Sequence, residues 1–394
     1  MTTFPPASEQ EWLTRIAKVL KGEDFEKKLV SEIDGIRIDP LYGRIAAPSA
    51  GRARVAPWKI LQRVDHPKAE RANELAAEDV AGGADGLVLV GKEEGAGQNI
   101  GLAPADVGRA LQGIALHQTE LRVDGGEALG KALAAHVASQ PVDPARLKIS
   151  FDCDDAAAAK ALHGQGFQGP FMTADGRMFH GEGETDAAEL GASLAWLLQS
   201  LRKLDFLSDT ELPRAVSVTL AASQDMFLTL AKFRAMHLLW ARLLETCHLP
   251  ITPLALHGET SRIMMAAKDP HSNLLRAVAA TFAAGLGGTE SFTVLPLSAA
   301  QGLPNSFARR MARNTQIILQ QESSLWRAHD PGSGAGYIEH LTQALCERGW
   351  DIFRSCEKGD WPASEAQNLR VWPVIGVTSY QLAEEPAAEV ESAS

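Results

Sequence analysis

Residues 58–90, WKILQRVDHPKAERANELAAEDVAGGADGLVLV, contain the pattern that decides the fold. The apolar run Lys59–Val64 predicts a strand, the Ala-rich amphipathic segment Ala69–Val80 predicts a helix, and the apolar run Gly86–Val90 predicts a second strand. Two short strands separated by one helix are typical of a βα unit, in which the strands lie parallel.

The same alternation continues to residue 321 and predicts eight βα units. The other strands are predicted at Glu120–Val123, Lys148–Phe151, Pro170–Thr173, Val216–Leu220, Thr252–Leu256 and Ser291–Leu295, and further helices at Ala128–Ala138, Asp186–Leu204, Met226–Thr246 and Asn305–Gln321. Eight units over this length favour an α/β fold of the (β/α)8 TIM-barrel type. A doubly wound open sheet is the alternative, because periodicity does not show whether a sheet closes.

The flanking sequence divides the chain into an N-terminal helix and arm (1–57), a barrel domain (58–360) and a C-terminal extension (361–394). Within the arm, Glu9–Leu20 is a predicted helix, Gly35–Tyr42 is extended and Gly43–Pro57 is irregular. Tyr337–Ser355 predicts a C-terminal helix that packs on the barrel. Leu382–Ser394, rich in Ala, Glu and Ser, predicts a disordered tail or linker, because this composition buries little apolar surface.

Composition excludes several classes of protein. The formal net charge of −11 and the absence of a basic stripe argue against a nucleic-acid partner. No apolar run reaches the roughly 20 residues that span a membrane, and the N-terminus lacks a signal peptide. The four cysteines form neither a disulfide framework nor a zinc pattern, so we expect a reducing compartment, the cytoplasm.

In a closed barrel, function belongs to the residues that follow the strands. The candidate segments are Gln62–His66, Lys92–Glu94, Asp124–Gly125, Asp152–Asp154, Ala174–Gly176, Ser223–Asp225, His257–Ser261 and Pro296–Ser298. The richest is His257–Ser261, which offers an imidazole, a carboxylate and two hydroxyls. The alternative is that Thr260 or Ser261 caps the next helix and His257 is a hydrogen-bonded wall residue.

Three further clusters favour structural roles. Asp152, Asp154 and Asp155 could hold a metal, but carboxylates at a strand end more often cap a helix, and we predict no metal site. Gly285–Gly288 follows a helix and precedes a strand, so it predicts a helix C-cap rather than a phosphate loop. Arg309, Arg310 and Arg313 lie at helical spacing and predict a solvated face or a partner contact.

Several motifs resemble the methylmalonyl-CoA mutase family. They are Gly287–Ser291, Gly302–Pro304, Ala312–Ser323 and Asp330–Pro331, together with Ala231–Ala235, Leu256–Ser261, Lys268–Pro270, Leu20–Gly22, Asp34–Ile36 and Pro40–Tyr42. The resemblance spans nearly the whole chain and is strongest from Ala231 to Thr342. It implies a barrel that admits acyl-CoA along its axis, with a cobalamin domain over its C-terminal face. Adenosylcobalamin would then start the radical rearrangement of methylmalonyl-CoA to succinyl-CoA.

The chain departs from the catalytic members of that family. Arg63 stands where they have a tyrosine, their carboxylate-binding segment has no counterpart here, and His180 is offset from their catalytic histidine. Asp175-Gly176-Arg177 is similar instead to the small, non-catalytic subunits. We therefore assign no catalytic residue. The vestigial or substrate-channel candidates are Gln62, Arg63, Asp175, His180, Gln224, His257, Glu259, Thr260 and Ser261.

The family's cobalamin domain, marked by a D-x-H-x-x-G loop, is predicted to be absent. The partial match at Asp269–Leu274 ends in leucine and lies within the barrel sequence, so His271 matches by coincidence. The resemblance thus implies that this chain alone binds no cofactor. It implies a large catalytic subunit as partner. The alternatives are a barrel that binds acyl-CoA and works with a separate cobalamin-binding chain, or a plain binding module with an open axial channel.

Overall fold

Eight parallel strands form one sheet in the computed structural model, in the order β6-β5-β4-β3-β10-β9-β8-β7. Their bounds are β3 Lys59–Val64, β4 Gly86–Val90, β5 Glu120–Asp124, β6 Ile149–Ser150, β7 Met172–Asp175, β8 Val216–Ala222, β9 Ala255–Thr260 and β10 Ser291–Thr293; β1 Ser31–Ile33 and β2 Ile36–Ile38 precede them, and β11 Leu303–Pro304 and β12 Val390–Glu391 follow. The structure describes residues 8–46, 48–52, 54–92, 100–181, 185–362, 374–381 and 388–392.

The sheet closes into a barrel. The first barrel strand, β3, pairs with the last, β10. At the seam between β6 and β7, the Phe151 amide donates to the Pro170 carbonyl (2.8 Å) and the Cys153 amide donates to the Phe171 carbonyl (3.0 Å). The predicted (β/α)8 barrel is therefore confirmed, and the doubly wound open sheet is wrong.

Helices surround the barrel. The helices of the described residues are α1 Glu9–Leu20, α2 Phe25–Leu29, α3 Ala69–Ala81, α4 Val107–Ala110, α5 Gly126–Ala138, α6 Ala156–Gly164, α7 Arg177–Gly181, α8 Asp186–Lys203, α9 Met226–Thr246, α10 Ser272–Gly287, α11 Ser306–Gln321 and α12 Gly336–Cys356, of which α1 and α2 belong to the N-terminal arm. Gly288 ends α10 with a left-handed φ of +99°, so the predicted glycine C-cap is confirmed. None of the helices in the described ranges combines the length and apolar composition that a bilayer crossing requires.

Strand β9 differs most from its prediction. The sequence predicted Thr252–Leu256, whereas the strand runs from Ala255 to Thr260. His257 and Glu259 resembled loop residues because they are polar, yet both are buried in the barrel. Alternate residues of a barrel strand face the lumen, and here the lumen is polar. Polarity therefore did not mark the end of this strand.

The lumen is lined by small hydroxyl residues. On neighbouring strands, the Thr173 and Ser217 hydroxyls hydrogen-bond at 2.9 Å. The guanidinium of Arg122, 5% exposed, crosses to donate to the hydroxyl of Thr219 (2.5 Å). A barrel interior is more often filled by bulky branched side chains. This lumen holds an apolar cluster of Leu61, Val88 and Val90 beside its polar groups.

Helix α12 packs across α8 and α9 and extends the core outside the barrel. Its glycine Gly349 meets Gly191 of α8 closely, since a Cβ added at Gly191 would lie 2.7 Å from the Gly349 carbonyl oxygen. The predicted C-terminal helix is confirmed. Behind it, the buried Arg234 of α9 bridges Asp330 (2.9 Å) and Glu339 of α12 (2.9 Å), so the helices and the preceding loop share one ion-pair cluster.

The N-terminal arm lies along α12. The Arg348 guanidinium donates to the carbonyls of Asp34 (2.8 Å) and Gly35 (2.6 Å) in the β1–β2 turn. The irregular segment Gly43–Pro57 has no helix or strand among its described residues, as predicted, but it is packed: Ala50 and Arg52 are 2% and 3% exposed. All four cysteines are free thiols.

The C-terminal extension contains one element that its composition did not predict. Val390–Glu391, β12, pairs antiparallel with Leu303–Pro304, β11. Residues 382–387, 393 and 394 of the predicted disordered tail lie outside the described residues.

Candidate functional site

Charged side chains meet at the C-terminal mouth of the barrel. Arg63 of β3, Asp124 of β5, Asp175 of β7, Arg177 of α7 and Glu259 of β9 form what we call the mouth network. Parallel strands end at the same edge of the barrel, so residues distant in sequence converge there. The sequence selected Arg63, Asp124, Asp175 and Glu259 as residues that follow strands and named Arg177 only in a family motif; it did not predict their ion pairing.

Arg177 is the centre of the mouth network. Its guanidinium donates to Asp124 at 2.8 and 2.9 Å, to Asp175 at 2.7 and 2.8 Å, and to Glu259 at 3.0 Å. All five donor positions of an arginine are thereby used on three carboxylates. The group is saturated and has no donor left for a ligand.

Arg63 completes the network from the opposite wall. Its Nη1 donates to Glu259 (2.8 Å) and lies 3.7 Å from Asp124, and its Nε donates to Asp65 (3.3 Å). Burial acts to lower the pKa of Arg63, but the surrounding carboxylates raise it by more, so the net shift is upward. Burial also acts to raise the pKa of Asp124, yet the guanidiniums of Arg177 and Arg63 hold that pKa below its ordinary range. Both ions therefore stay charged.

His257 lies deeper in the lumen. Its Nδ1 and the Ser291 hydroxyl are 2.8 Å apart. Burial, with the positive charges of Arg122 and Arg177, places the pKa of His257 well below its usual value. The imidazole is therefore neutral and forms part of the lumen wall.

Neither hydroxyl of the His257–Ser261 segment caps a helix. The Thr260 hydroxyl accepts from the Leu295 amide (2.7 Å) and so joins β9 to the chain after β10. The Ser261 hydroxyl and His180 Nε2 are 2.7 Å apart. Within this segment, Glu259 therefore belongs to the mouth network, His257 to the lumen wall and Ser261 to a second cluster around His180.

The second cluster is built on α7, α8 and α9. His180 Nδ1 lies 3.7 Å from both Asp186 and Glu189, and the buried ammonium of Lys232 bonds the same two carboxylates at 2.9 and 2.6 Å. His180, Asp186 and Glu189 offer ligand atoms close enough together for a metal ion. The Lys232 ammonium already contacts both carboxylates, so the cluster is an ion-pair cluster with lysine as its cation.

Sequence reasoning missed the three ionic partners of this second cluster. Asp186, Glu189 and Lys232 lie within helices whose patterns predicted only packing. Burial acts to raise the pKa of Asp186, but Lys232 and His180 lower it, and the net shift is downward. A lysine among apolar residues of a buried helix was the available signal, because such a charge requires a partner.

Gln62 and Gln224 are not part of the mouth network. The Gln62 amide donates to Asp79 (3.2 Å) and to the Arg309 carbonyl (3.2 Å), between α3 and α11 outside the barrel. Gln224 is exposed in the loop before α9. Two of the nine candidates are therefore not brought together with the others.

The arginines of α11 correct a prediction. Arg309 and Arg313 were expected on a solvated face or at a partner contact, but they are 3% and 8% exposed and pair with Asp79 of α3. Arg310 alone of the three is exposed, and its guanidinium lies 5.7 Å from the Phe307 ring. The helical spacing predicted the helix but not which of its faces is buried, because charged side chains can pack against a buried partner of opposite charge.

The remaining candidates have structural roles. Asp155 caps α6 through the Ala158 amide (2.8 Å), and Asp152 accepts from the Gly126 amide (3.2 Å), so these carboxylates serve different helices. Lys92 follows β4, whereas Glu93 and Glu94 lie outside the described residues. His271 is exposed at the N-cap of α10.

Comparison with known proteins gives consistent matches. The family model of methylmalonyl-CoA mutase matches residues 171–361. The methylmalonyl-CoA mutase small subunit of Streptomyces virginiae is 33% identical over 95% of this chain and 67% of its own length. The small subunit of Propionibacterium freudenreichii subsp. shermanii is 30% identical over 90% of this chain and 62% of that protein.

Similarity extends to a large subunit. The large subunit of P. freudenreichii subsp. shermanii is 34% identical over 42% of this chain and 26% of its own length. An aldo-keto reductase, AKR11C1 from Bacillus halodurans, aligns with 69% of this chain and 96% of its own at 11% identity, and its TM-score of 0.32 supports no conclusion. The chain spans about two thirds of the full-length small subunits.

Proposed function

Because the chain belongs to the methylmalonyl-CoA mutase family, we propose that it is a non-catalytic barrel subunit that supports a large catalytic subunit. The observation that carries this proposal is the mouth network. Acyl-CoA chemistry in a barrel takes place at the C-terminal mouth. In this chain Arg63 and Arg177, paired with three carboxylates, occupy that position.

The energetics of the mouth network favour this role. Arg63 and Glu259 are each 7% exposed, so a ligand carboxylate or thioester would have to displace a buried partner. Breaking a buried ion pair costs about 3–5 kcal/mol, because one charge is left without compensation. A substrate would have to offset that cost before it gained any affinity.

Adenosylcobalamin, when bound, supplies the radical chemistry of the family. His271 and His257 do not form a site for that group. His271 is exposed in the wall helix α10, and the imidazole of His257 is buried in the lumen with its Nδ1 on Ser291. The proposal therefore assigns the cofactor to the complex and no step of the reaction to this chain.

The N-terminal arm supports a partner contact. On α1, Trp12, Ile16 and Val19 form one apolar face at helical spacing, yet no residue of this helix is buried. Val19 is 73% exposed. We propose that the large subunit covers this face, in a cytoplasmic complex.

A second candidate function has one observation in its favour. Below the mouth network, the lumen keeps small hydroxyl residues such as Thr173, Ser217 and Ser291. This lining favours a barrel that binds acyl-CoA and acts with a separate cobalamin-binding chain. Turnover of acyl-CoA with adenosylcobalamin and such a chain would support it over the scaffold role.

Association with the large subunit tests the first proposal. The purified chain mixed with the large subunit should elute as one complex, and Val19→Asp should weaken association by about tenfold, since it places a charge on the apolar face of α1. Ala17→Asp adds the same charge on the opposite, exposed face and should leave association unchanged. A chain that stays separate from the large subunit would refute the scaffold role.

A further inference from the structure

The tail segment 388–392 is held by contacts on both its backbone and its side chains. The Ala388 amide donates to the Gln301 side chain (3.2 Å), and Asn305 donates to Glu389 (3.5 Å). Between them, Val390 and Glu391 pair antiparallel with Pro304 and Leu303. An extended segment thus adds a strand to a short edge at the barrel surface.

Glu391 is the most strongly bound residue of the segment. Arg71 of α3 donates to its two carboxylate oxygens, from Nε at 3.0 Å and from Nη2 at 2.6 Å. Parallel bidentate bonds of this kind are among the strongest that a carboxylate makes. The Arg71 hydrogen bond accordingly lowers the pKa of Glu391, against a smaller opposing effect of burial.

His66 completes the cradle and is 4% exposed. Its Nδ1 accepts a hydrogen bond from the Lys68 amide (3.1 Å), so in the neutral ring the proton resides on Nε2. Nε2 lies 3.8 Å from the Glu391 carboxylate. A buried N–H and a guanidinium therefore converge on a single carboxylate.

We propose that β11, Arg71 and His66 form a peptide-recognition site for an extended acidic segment, and that residues 388–392 are its resident ligand. Strand addition supplies sequence-independent affinity, and a side-chain pocket supplies specificity. Here the pocket favours glutamate, because the Arg71 guanidinium donates to both oxygens of its carboxylate, a pairing that a glutamine amide does not reproduce. Val390, 45% exposed, adds little specificity. This inference does not depend on the proposed mutase role.

A labelled peptide tests the site. The probe is fluorescein-AEVESAS, the sequence of residues 388–394, titrated by anisotropy into a variant that lacks these residues. The shortened chain should bind the peptide, and the intact chain should bind it at least about tenfold more weakly, because its own tail competes at high effective concentration. Two changes should each cost about tenfold or more: Glu391→Gln in the peptide and Arg71→Met in the shortened chain.

Matched controls separate recognition from general charge attraction. Glu389→Gln in the peptide removes the same charge but only the 3.5 Å contact to Asn305, and should change affinity by less than about threefold. Arg310→Met removes an exposed arginine of α11 that makes no contact with the tail among the described residues, and this change should have no effect. Circular dichroism checks that Arg71→Met remains folded.

Two outcomes would overturn the proposal: no binding of the peptide to the shortened chain, or equal binding of the Glu391→Gln peptide. Light scattering of the intact chain shows whether the bound segment belongs to the same copy of the chain or to a second copy. A monomer indicates that each copy retains its own tail. A dimer that Arg71→Met abolishes indicates exchange of the tail between two copies, and both results support the site.

Discussion

At the residue scale, the stability of the mouth network depends most on Arg177. It satisfies Asp124, Asp175 and Glu259 at once. Arg177→Met should lower the free energy of unfolding by about 3–5 kcal/mol, because three carboxylates lose their main cation. Urea denaturation measures this change.

Arg310→Met is the control for that substitution, since it removes an exposed arginine and should change stability by less than about 0.5 kcal/mol. Equal stability of Arg177→Met and the natural chain would show that the mouth network contributes nothing to the fold. The mouth would then be free to open for a ligand.

Asp124 gives the mouth network a pH dependence. Its folded-state pKa lies below its ordinary value, so its stabilisation is fully present above the unfolded pKa of about 3.9 and is lost as pH falls through the folded-state pKa. The stability difference between the natural chain and Asp124→Asn should therefore be constant near neutral pH and shrink below about pH 4. Urea titrations at several pH values measure this difference. A difference that grows with acid would contradict the assignment.

At this scale, the sequence predicted the positions of the site residues better than it predicted their roles. The segments around Arg63, Asp175, His257 and Glu259 were selected because they follow strands, and three of these residues meet in the mouth network. The partners Asp186, Glu189 and Lys232 were missed, because hydrophobic periodicity does not distinguish a buried ion from a solvated one.

At the element scale, the close contact of α8 with α12 depends on glycine. A Cβ at Gly191 would lie 2.7 Å from the Gly349 carbonyl and from Ile352, so Gly191→Ala should force the helices apart and cost about 1–3 kcal/mol. Thermal or urea unfolding measures the loss.

Gly164→Ala is the matched control, because a Cβ at that position in α6 meets nothing within 4 Å. This change should be neutral or stabilising by up to about 1 kcal/mol, since alanine reduces the entropy of the unfolded chain. If the two variants had the same stability, α8 and α12 would not be in close contact.

Elements with an ordinary pattern were predicted nearly to the residue. Helix α9, Met226–Thr246, and strand β3, Lys59–Val64, match their predicted bounds. Strand β9 and the paired segment Val390–Glu391 did not, because each owes its conformation to distant partners: lumen charges for β9 and β11 with Arg71 for the tail. Local sequence does not contain such information.

At the scale of the whole molecule, repetition of βα units was sufficient to predict the barrel. Closure follows from pairing of β3 with β10, which unites the first and last units across more than half of the chain. The state of the lumen could not be predicted, since a shift of one residue in a strand reverses which side chains face inward. The register of β9 determines that Glu259 lies between Arg63 and Arg177.

We propose that the mouth network excludes substrate from this barrel. Isothermal titration of methylmalonyl-CoA into the isolated, intact chain tests that claim most directly. We predict no binding heat with ligand up to ~1 mM, because the donors of Arg177 are saturated. Saturable binding with a Kd in the micromolar range would contradict the account and would favour the acyl-CoA-binding barrel instead.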